Sequence, residues 1–134
     1  IHPAVIVLIS RGDDYLLVRK AGWPAGQYGL VAGFVEFSES FEECVAREVA
    51  EETGLAVAGI RYLGSQNWPF PSQIMAAFAA QAIGGELVVD RTELEDADWF
   101  SARRPPAVLP PRASIARWML DRHAPELVRA AGGA

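Results

Sequence analysis

The sequence predicts an α/β fold in which helices pack on a mixed β-sheet, and two observations favour it. Short β-branched runs lie on both sides of the strongest helix signal, at residues 40–54. A second stretch with helical periodicity follows from Ser114 to about Arg122. Strands around a long helix, with another helix at the end, are typical of a sheet covered by helices. The 134 residues suffice for a real core, so we expect one domain over residues 1–134.

The segment before the long helix predicts three strands. PAVIVLI (3–9) and YLLVRK (15–20) flank the turn sequence SRGDD and are typical of a β-hairpin. AGWPAGQ (21–27) has the composition of a loop. YGLVA (28–32) then predicts a third strand that runs into Gly33.

The long helix is predicted from its two ends. Ser40 and Glu43 have the spacing of a capping box, and Gly54 suits the residue that ends a helix. After it, the proline-rich segment SQNWPFPSQ (65–73) predicts a loop between two strands, and RAAGGA (129–134) predicts a frayed tail. The strands predicted in this half of the chain are VAGIRYLG (57–64), IMAAFAAQA (74–82), ELVVD (86–90) and ADWFS (97–101).

Composition narrows the class of protein. The chain is 51% hydrophobic and 22% charged, as globular domains are, and its net charge of −5 gives no general attraction to nucleic acid. No apolar run reaches the roughly 20 residues of a membrane span, and AVIVLI (4–9) lacks the basic leader of a signal peptide. The lone Cys44 excludes an internal disulfide and a cysteine-rich zinc site. We therefore expect a cytoplasmic protein, and a first residue other than Met is consistent with a piece of a longer chain.

The long helix carries three carboxylates, Glu48, Glu51 and Glu52, at positions where like charges repel one another. At 100° per residue, these acids continue the apolar stripe that runs from Phe41 to Val49, so they extend the buried face. Half-buried carboxylates are costly unless they are paired or bind a cation. Three converging acids suit Mg²⁺, which takes oxygen ligands and completes its shell with water and substrate phosphates.

A surface helix steadied by an Arg47–Glu51 ion pair is the simpler alternative. It explains the acidic composition but not the placement of the acids. Gly33 follows a strand directly, where a glycine allows close approach and a backbone carbonyl can turn toward a cation. Arg47 has two possible roles, holding a glutamate in position or neutralising phosphate.

Gly33, Glu39 and the run Arg47–Leu55 match the pattern GX5EX7REUXEEXGU at every fixed position over residues 33–55. The sequence thereby resembles the Nudix hydrolases. The resemblance implies an α/β/α sandwich that cleaves a nucleoside diphosphate linked to another group, with Mg²⁺ or Mn²⁺ as cofactor. It also implies catalytic roles for four residues: Glu48 and Glu52 bind metal with Glu51 beside them, and Arg47 orients the glutamates. The carbonyl of Ala32 or Gly33 is a further expected ligand.

Residues 65–73 resemble the SQPWPFPxS motif of the NADH pyrophosphatase branch of that family. Asn67 and Gln73 depart from it, standing where the branch has proline and serine. Alternating proline and aromatic residues stiffen the backbone and present flat rings, although a loop that merely packs is the simpler interpretation. The resemblance implies that the dinucleotide pocket is lined by Gln66, Asn67, Trp68, Pro69, Phe70, Pro71, Ser72 and Gln73.

Three more positions resemble that branch. The resemblance implies that Phe34 stacks on the nicotinamide ring, that Glu93 binds metal and that Ala116 contacts substrate. A solvated loop acid is the simpler interpretation of Glu93, and a core residue that of Ala116. The branch usually forms a homodimer. It also carries an N-terminal domain, a four-cysteine zinc ribbon and a tyrosine thought to reach the partner's site, none of which lies within these 134 residues.

The main hypothesis is hydrolysis of NADH or NAD⁺ to reduced or oxidised NMN and AMP, and by resemblance the same cut removes an NAD cap from RNA. A second hypothesis keeps the fold and the metal but takes ADP-ribose or another nucleoside diphosphate derivative, because Asn67 and Gln73 depart from the motif. A third is a nucleotide-binding or regulatory module without activity. Loss of a glutamate from residues 33–55 is the usual sign of such a module, and none is lost. Which of Glu48, Glu52 and Glu93 acts as the base stays open.

Overall fold

The structure, a computed structural model, describes residues 1–68 and 72–132, with the backbone alone at Trp68. The elements run in the order strand, strand, strand, helix, strand, strand, strand, helix, helix. They are β1 (His2–Arg11), β2 (Asp14–Arg19), β3 (Val31–Phe34), α1 (Phe41–Thr53), β4 (Ala56–Trp68), β5 (Gln73–Gly84), β6 (Asp96–Phe100), α2 (Ile115–His123) and α3 (Pro125–Ala130).

The strands form one mixed sheet in the order β4-β5-β1-β2-β6, with β3 paired to β1. β1 and β5 run parallel, whereas the other strand pairs are antiparallel. The predicted hairpin of β1 and β2 is confirmed, with Arg11 opposite Asp14 beside its turn. The mixed sheet predicted from the sequence is therefore present.

Both faces of the sheet are covered, so the predicted α/β/α sandwich is confirmed. Alternate residues of β1 point to opposite faces, as the pleat requires. Val5 and Val7 pack in the core beneath α1, and Ile6 and Leu8 pack in the core beneath α2 and α3. None of the helices in the described ranges has the length and apolar character of a membrane span.

The ends of the long helix are confirmed. The Ser40 hydroxyl accepts from the Glu43 amide, and the Glu43 carboxylate accepts from the Ser40 amide, so both bonds of the capping box form. Gly54 ends the helix in the left-handed conformation with φ of 75°. Ser114 caps α2 in the same way, by accepting from the Arg117 amide.

Three predicted segments differ from the structure. Residues 65–68 belong to β4 rather than to a loop, because prolines begin only at position 69 and the preceding amides can pair with β5. Residues 86–90 are not a strand: the amides of Val88 and Asp90 donate to the Thr53 and Glu52 carbonyls at the end of α1. The predicted frayed tail begins inside α3, where the buried Leu127 and Val128 anchor a short helix.

Candidate active site

The acids of α1 lie where its buried face meets the sheet. Glu52 is buried, with 4% of its surface exposed, and continues the row of Cys44, Val45 and Val49 as its spacing predicts. The Glu48 side chain is 14% exposed and the Glu51 side chain 58%. The helix therefore presents a graded series of carboxylates, from one in the core to one in solvent.

Gly33 allows Glu48 to reach the sheet. Any Cβ at position 33 would collide with the carboxylate of Glu48, which lies directly against the β3 backbone. Gly33 pairs with Val5 of β1, and Ala32 pairs with Ile6. Among the named strands β3 pairs with β1 alone, which leaves its other edge without a strand partner, and Glu48 lies on the sheet face that α1 covers. Glycine at position 33 thus leaves room for the Glu48 carboxylate, and its φ is not in the left-handed region.

Arg47 ties the acids together. Its guanidinium donates to both carboxylate oxygens of Glu39, at 2.6 and 2.9 Å. It also donates to Glu48 at 2.7 Å, to Glu51 at 3.2 Å and to the Phe34 carbonyl at 2.9 Å. The bidentate contact from Arg47 lowers the pKa of Glu39 to about 2. The predicted Arg47–Glu51 pair exists, but within a larger network that fixes the start of α1 to the end of β3.

Glu52 lacks the hydrogen bond from Arg47 that Glu39, Glu48 and Glu51 accept. Its Oε2 atom is buried and has no hydrogen-bond partner in the described parts of the chain. Burial, together with the neighbouring Glu48 carboxylate, raises the pKa of Glu52 to about 8. A buried and unpaired carboxylate is costly unless a proton or a cation compensates it. Glu52 therefore lies in an environment where a bound cation would stabilise its carboxylate.

The acids line one open cavity of about 510 Å³ between α1, the β3 edge and the loop before β6. Glu93, predicted as a distant ligand, lines this cavity although it is 41 residues from Glu52 in sequence (93 minus 52). The cavity is lined by Lys20, Ala32, Gly33, Phe34, Glu36, Glu48, Glu51, Glu52, Asp90 and Glu93. The structure thus brings together every residue that the sequence proposed for metal binding.

The donor set fits a hard divalent cation. Carboxylates and backbone carbonyls are the ligands that Mg²⁺ and Mn²⁺ take in proteins. Within residues 1–68 and 72–132, no three His, Cys, Asp or Glu side chains are already gathered as a ligand cluster. Arg47 donates to Glu48 and Glu51, and Glu52 lies in the core beside the Glu48 carboxylate. The orphaned Oε2 of Glu52 is the observation that favours a cation here.

Phe34 connects the acidic cavity to a groove on the opposite face of the sheet. Strand pairing aligns Phe34 with Ala4, Ala4 with Met75 and Met75 with Gln66. Paired residues share a face, so these four side chains form one row across about 14 Å of sheet on the α2 side. Phe34 is 52% exposed at one end of this row, where a planar ring can stack on it.

The other end of the row forms a groove of about 200 Å³. Gln66 and Gln73 line it, together with Met75, Ser114 and Ile115. Gln66 also donates to the Ala113 carbonyl at 3.3 Å, which ties the groove to the entry of α2. A ligand that spans both regions would place one end against Phe34 and the other beside these glutamines.

The remaining proposed substrate contacts are divided. Asn67 pairs with Ile74, so the alternation of the strand directs its side chain to the opposite face from Gln66. Ser72 is half-buried, and its carbonyl accepts from the His2 amide. Ala116 is buried in the core beneath α2 and lines neither the cavity nor the groove, so its contact with substrate stays a prediction. The predictions for Pro69, Phe70, Pro71 and the side chain of Trp68 lie outside the described residues.

Sequence reasoning gave no site role to four residues that the structure places there: Lys20, Glu36, Glu39 and Asp90. Glu39 was matched within the motif without a role, yet it is the strongest partner of Arg47. Lys20, Glu36 and Asp90 line the cavity from the segments after β2, after β3 and before β6. The segment that holds Asp90 is placed by its bond to the Glu52 carbonyl, at 3.0 Å. Only the fixed spacing of Glu39 and Arg47 could have indicated one of these roles.

Comparison with known proteins agrees with this geometry. A family profile described as NUDIX domain matches residues 1–121. The chain is 48% identical over 134 residues to a protein of Pseudomonas aeruginosa named NAD-capped RNA hydrolase NudC, and covers 47% of it. It is 50% identical over 121 residues to the protein of that name from Pseudomonas entomophila, covering 44% of it. The chain spans about half the length of these curated relatives.

Solved structures share the fold. A MutT NUDIX hydrolase from Burkholderia pseudomallei superimposes with a TM-score of 0.75 at 26% identity. The match covers 91% of this chain and 97% of that one. Helices on both faces of a mixed sheet are therefore a shared arrangement.

Proposed function

Because the chain belongs to the NUDIX family, as its motif predicts, we propose that it hydrolyses the diphosphate of NADH or NAD⁺ with a divalent metal. The products are reduced or oxidised NMN and AMP. Relatives named NAD-capped RNA hydrolase support the choice of substrate. The observation that carries the proposal is Glu52, a buried carboxylate whose Oε2 lacks a partner at the wall of an acidic cavity.

Each residue of the cavity has a proposed task. Nudix hydrolases generally use divalent metals, and a bound ion screens a diphosphate and lowers the pKa of an attacking water. The ligands are proposed to be Glu48, Glu51, Glu52 and Glu93, with the carbonyl of Ala32 or Gly33. Arg47 holds Glu48 and Glu51 in orientation while its own charge is shared with Glu39. A carboxylate of this set accepts the proton of water, and the assignment stays open among Glu48, Glu52 and Glu93.

The dinucleotide is proposed to lie across the β3 edge. Its diphosphate faces the acidic cavity, and one of its ring systems stacks on the exposed side of Phe34. Gln66 and Gln73 offer amide donors and acceptors to the other nucleoside in the groove beneath α2. The branch motif at 65–73 supports this assignment, with Asn67 and Gln73 as its departures.

The proposal is tested by incubating the protein with NADH and Mn²⁺ and separating the nucleotides by chromatography. We expect equal amounts of AMP and reduced NMN, and no products with the Glu52→Gln variant, which also controls for contaminating hydrolases. NADH that stays intact after long incubation with the folded wild-type protein contradicts the proposal.

ADP-ribose is the second candidate substrate, because the amide side chains of Asn67 and Gln73 replace two family residues. A panel of NADH, NAD⁺, ADP-ribose and NAD-capped RNA, compared by kcat/KM, separates the candidates. A clear preference for ADP-ribose selects the alternative. A third outcome, binding without turnover of any member, selects the regulatory module.

The cellular setting is also a proposal. The names of the relatives support NAD-capped RNA as a substrate, although a net charge of −5 adds no general attraction to the RNA backbone. We propose a cytoplasmic homodimer, as the family resemblance implies. Light scattering of the purified chain tests its mass, and fractionation of cells tests its location.

A further inference from the structure

Lys20 is the only lysine among the twelve basic residues of the chain, and it lines the acidic cavity. It is half-buried. Neither the motif at 33–55 nor that at 65–73 includes it. Its position therefore calls for a physical explanation of its own.

Strand β2 directs Lys20 toward α1. Leu16 and Val18 face the core beneath α1, and Lys20 is the next residue in that alternation. Arg19 points the other way and holds the following loop, donating to the Trp23 carbonyl at 2.8 Å and the Gln27 carbonyl at 3.2 Å. The backbone on both sides of Lys20 is therefore fixed, which leaves its long side chain to reach into the cavity.

Lys20 lies in a cavity whose other charged lining residues, within the described ranges, are acidic. Six acids line the cavity with it: Glu36, Glu48, Glu51, Glu52, Asp90 and Glu93. Arg47 is engaged by Glu39, Glu48 and Glu51. In the described part of the chain, no carboxylate is near enough to the Lys20 ammonium to form an ion pair. Lys20 thus forms no ion pair within the described residues, although its charge partly offsets the raised pKa of Glu52.

We propose that Lys20 binds the substrate, its ammonium donating to a non-bridging oxygen of the diphosphate. This inference rests on the proposed function and names how the anionic substrate is held. A diphosphate approaching six carboxylates is repelled, and carboxylates that hold metal still leave oxygens of the substrate without a donor. An ammonium on a flexible stem suits such an oxygen, because it acts as a compact point charge with three donors.

Kinetics provide the first test. Lys20→Met is expected to lower kcat/KM for NADH by ~10–100-fold, the loss of one hydrogen bond to a charged group, chiefly by raising KM. Lys20→Arg keeps the charge and is expected to recover most of that loss. Arg129→Met removes one exposed positive charge on α3 and is the matched control, expected to stay within about 2-fold.

The affinity for Mn²⁺, measured by calorimetry without substrate, separates this role from that of a counter-ion for the acids. Loss of Lys20 removes a charge that repels the metal, so Lys20→Met should bind Mn²⁺ as tightly as the wild type or more tightly. Weaker binding of Mn²⁺ together with an unchanged KM for NADH would overturn the proposal.

Chemical labelling provides a second test on the wild-type protein. Reductive methylation with formaldehyde modifies only Lys20 and the terminal amine, and peptide mass spectrometry distinguishes the two sites. Mg²⁺ with ADP should slow methylation of Lys20 at least ~5-fold, whereas Mg²⁺ alone and Mg²⁺ with adenosine should not. Equal protection by Mg²⁺ alone, or no protection by Mg²⁺ with ADP, rejects the proposal.

The two proposals fail in different ways. A wild-type protein that does not cleave NADH contradicts the proposed function, while protection of Lys20 by Mg²⁺ with ADP still supports a diphosphate contact. A protein that cleaves NADH equally well as Lys20→Met, with Lys20 unprotected, contradicts only the role of Lys20.

Discussion

Glu52 on α1 and Arg117 on α2 are both buried charged side chains, on opposite faces of the same sheet, and their surroundings differ. Arg117 is 6% exposed, and it donates to the Asp121 carboxylate at 3.0 Å and to the Pro110 carbonyl at 3.4 Å. Glu52 is 4% exposed, and its Oε2 has no partner in the described residues. A compensated charge can serve the structure, whereas an uncompensated one costs stability and points to function.

The largest expected effect is on catalysis at Glu52. Glu52→Gln keeps the shape of the side chain but removes a negative charge from the proposed metal site, so AMP release from NADH should fall by about 10³-fold or more. Glu42→Gln is the matched control, because Glu42 is an exposed acid in the first turn of the same helix. It should stay within about 2-fold. Retention of a tenth of the activity by Glu52→Gln would contradict a catalytic role for this uncompensated carboxylate.

The second largest effect is expected at Gly33, where the Glu48 carboxylate packs against the β3 backbone. Gly33→Ala introduces a Cβ that collides with the Glu48 carboxylate, so we expect kcat for NADH to fall by about 10–100-fold. Gly84→Ala is the control, because its added Cβ meets nothing within 4 Å and its φ is not in the left-handed region. Equal activities of the two variants would mean that the position of Glu48 is unimportant for turnover.

Substitution of Arg117 should lower stability and leave activity nearly unchanged, whereas substitution of Glu52 should abolish activity. Arg117→Met leaves Asp121 and the Pro110 carbonyl without their donor, so the free energy of unfolding should fall by about 2–3 kcal/mol. Urea denaturation measures this change, and kcat/KM for NADH at 25 °C should stay within about 3-fold. A large loss of activity with unchanged stability would show that α2 takes part in catalysis.

The smallest expected effect is on stability as a function of pH. Burial beside Glu48 raises the pKa of Glu52 from 4.5 to about 8 in the folded state, so the folded protein keeps a proton that the unfolded chain releases. The metal-free protein should therefore lose stability as the pH rises from about 4.5 to 8. Glu52→Gln should remove about 1–2 kcal/mol of that loss, measured by urea denaturation with a chelator present. Parallel pH profiles of the two proteins would contradict the raised pKa.

The sequence predicts helix α1 well because the residues that determine its ends are local. Ser40, Glu43 and Gly54 make hydrogen bonds within a few residues, so their spacing alone gives both ends of the helix. Helical periodicity then predicts that Glu52 is buried, which it is. Helical periodicity also predicts α2, and the Ser114 cap is seen only in the structure.

The parts that the sequence does not predict depend on distant contacts. Residues 86–90 have the composition of a strand, but the amides of Val88 and Asp90 donate to the carbonyls at the end of α1. Lys20 and Asp90 reach one cavity through strand register and a loop, which no local spacing encodes. The six residues of α3 carry little helical signal of their own. The short helix forms because Leu127 packs in the core.

Binding of Mn²⁺ in a crystal tests the account most directly. The anomalous signal of Mn²⁺ in soaked crystals locates the ion independently of any assumption about activity. We predict a peak in the cavity between α1 and the β3 edge, with a carboxylate oxygen of Glu52 among its ligands. Crystals that diffract well and show no peak there, with Glu52 still buried and unpaired, would contradict the claim that this carboxylate is kept for a cation.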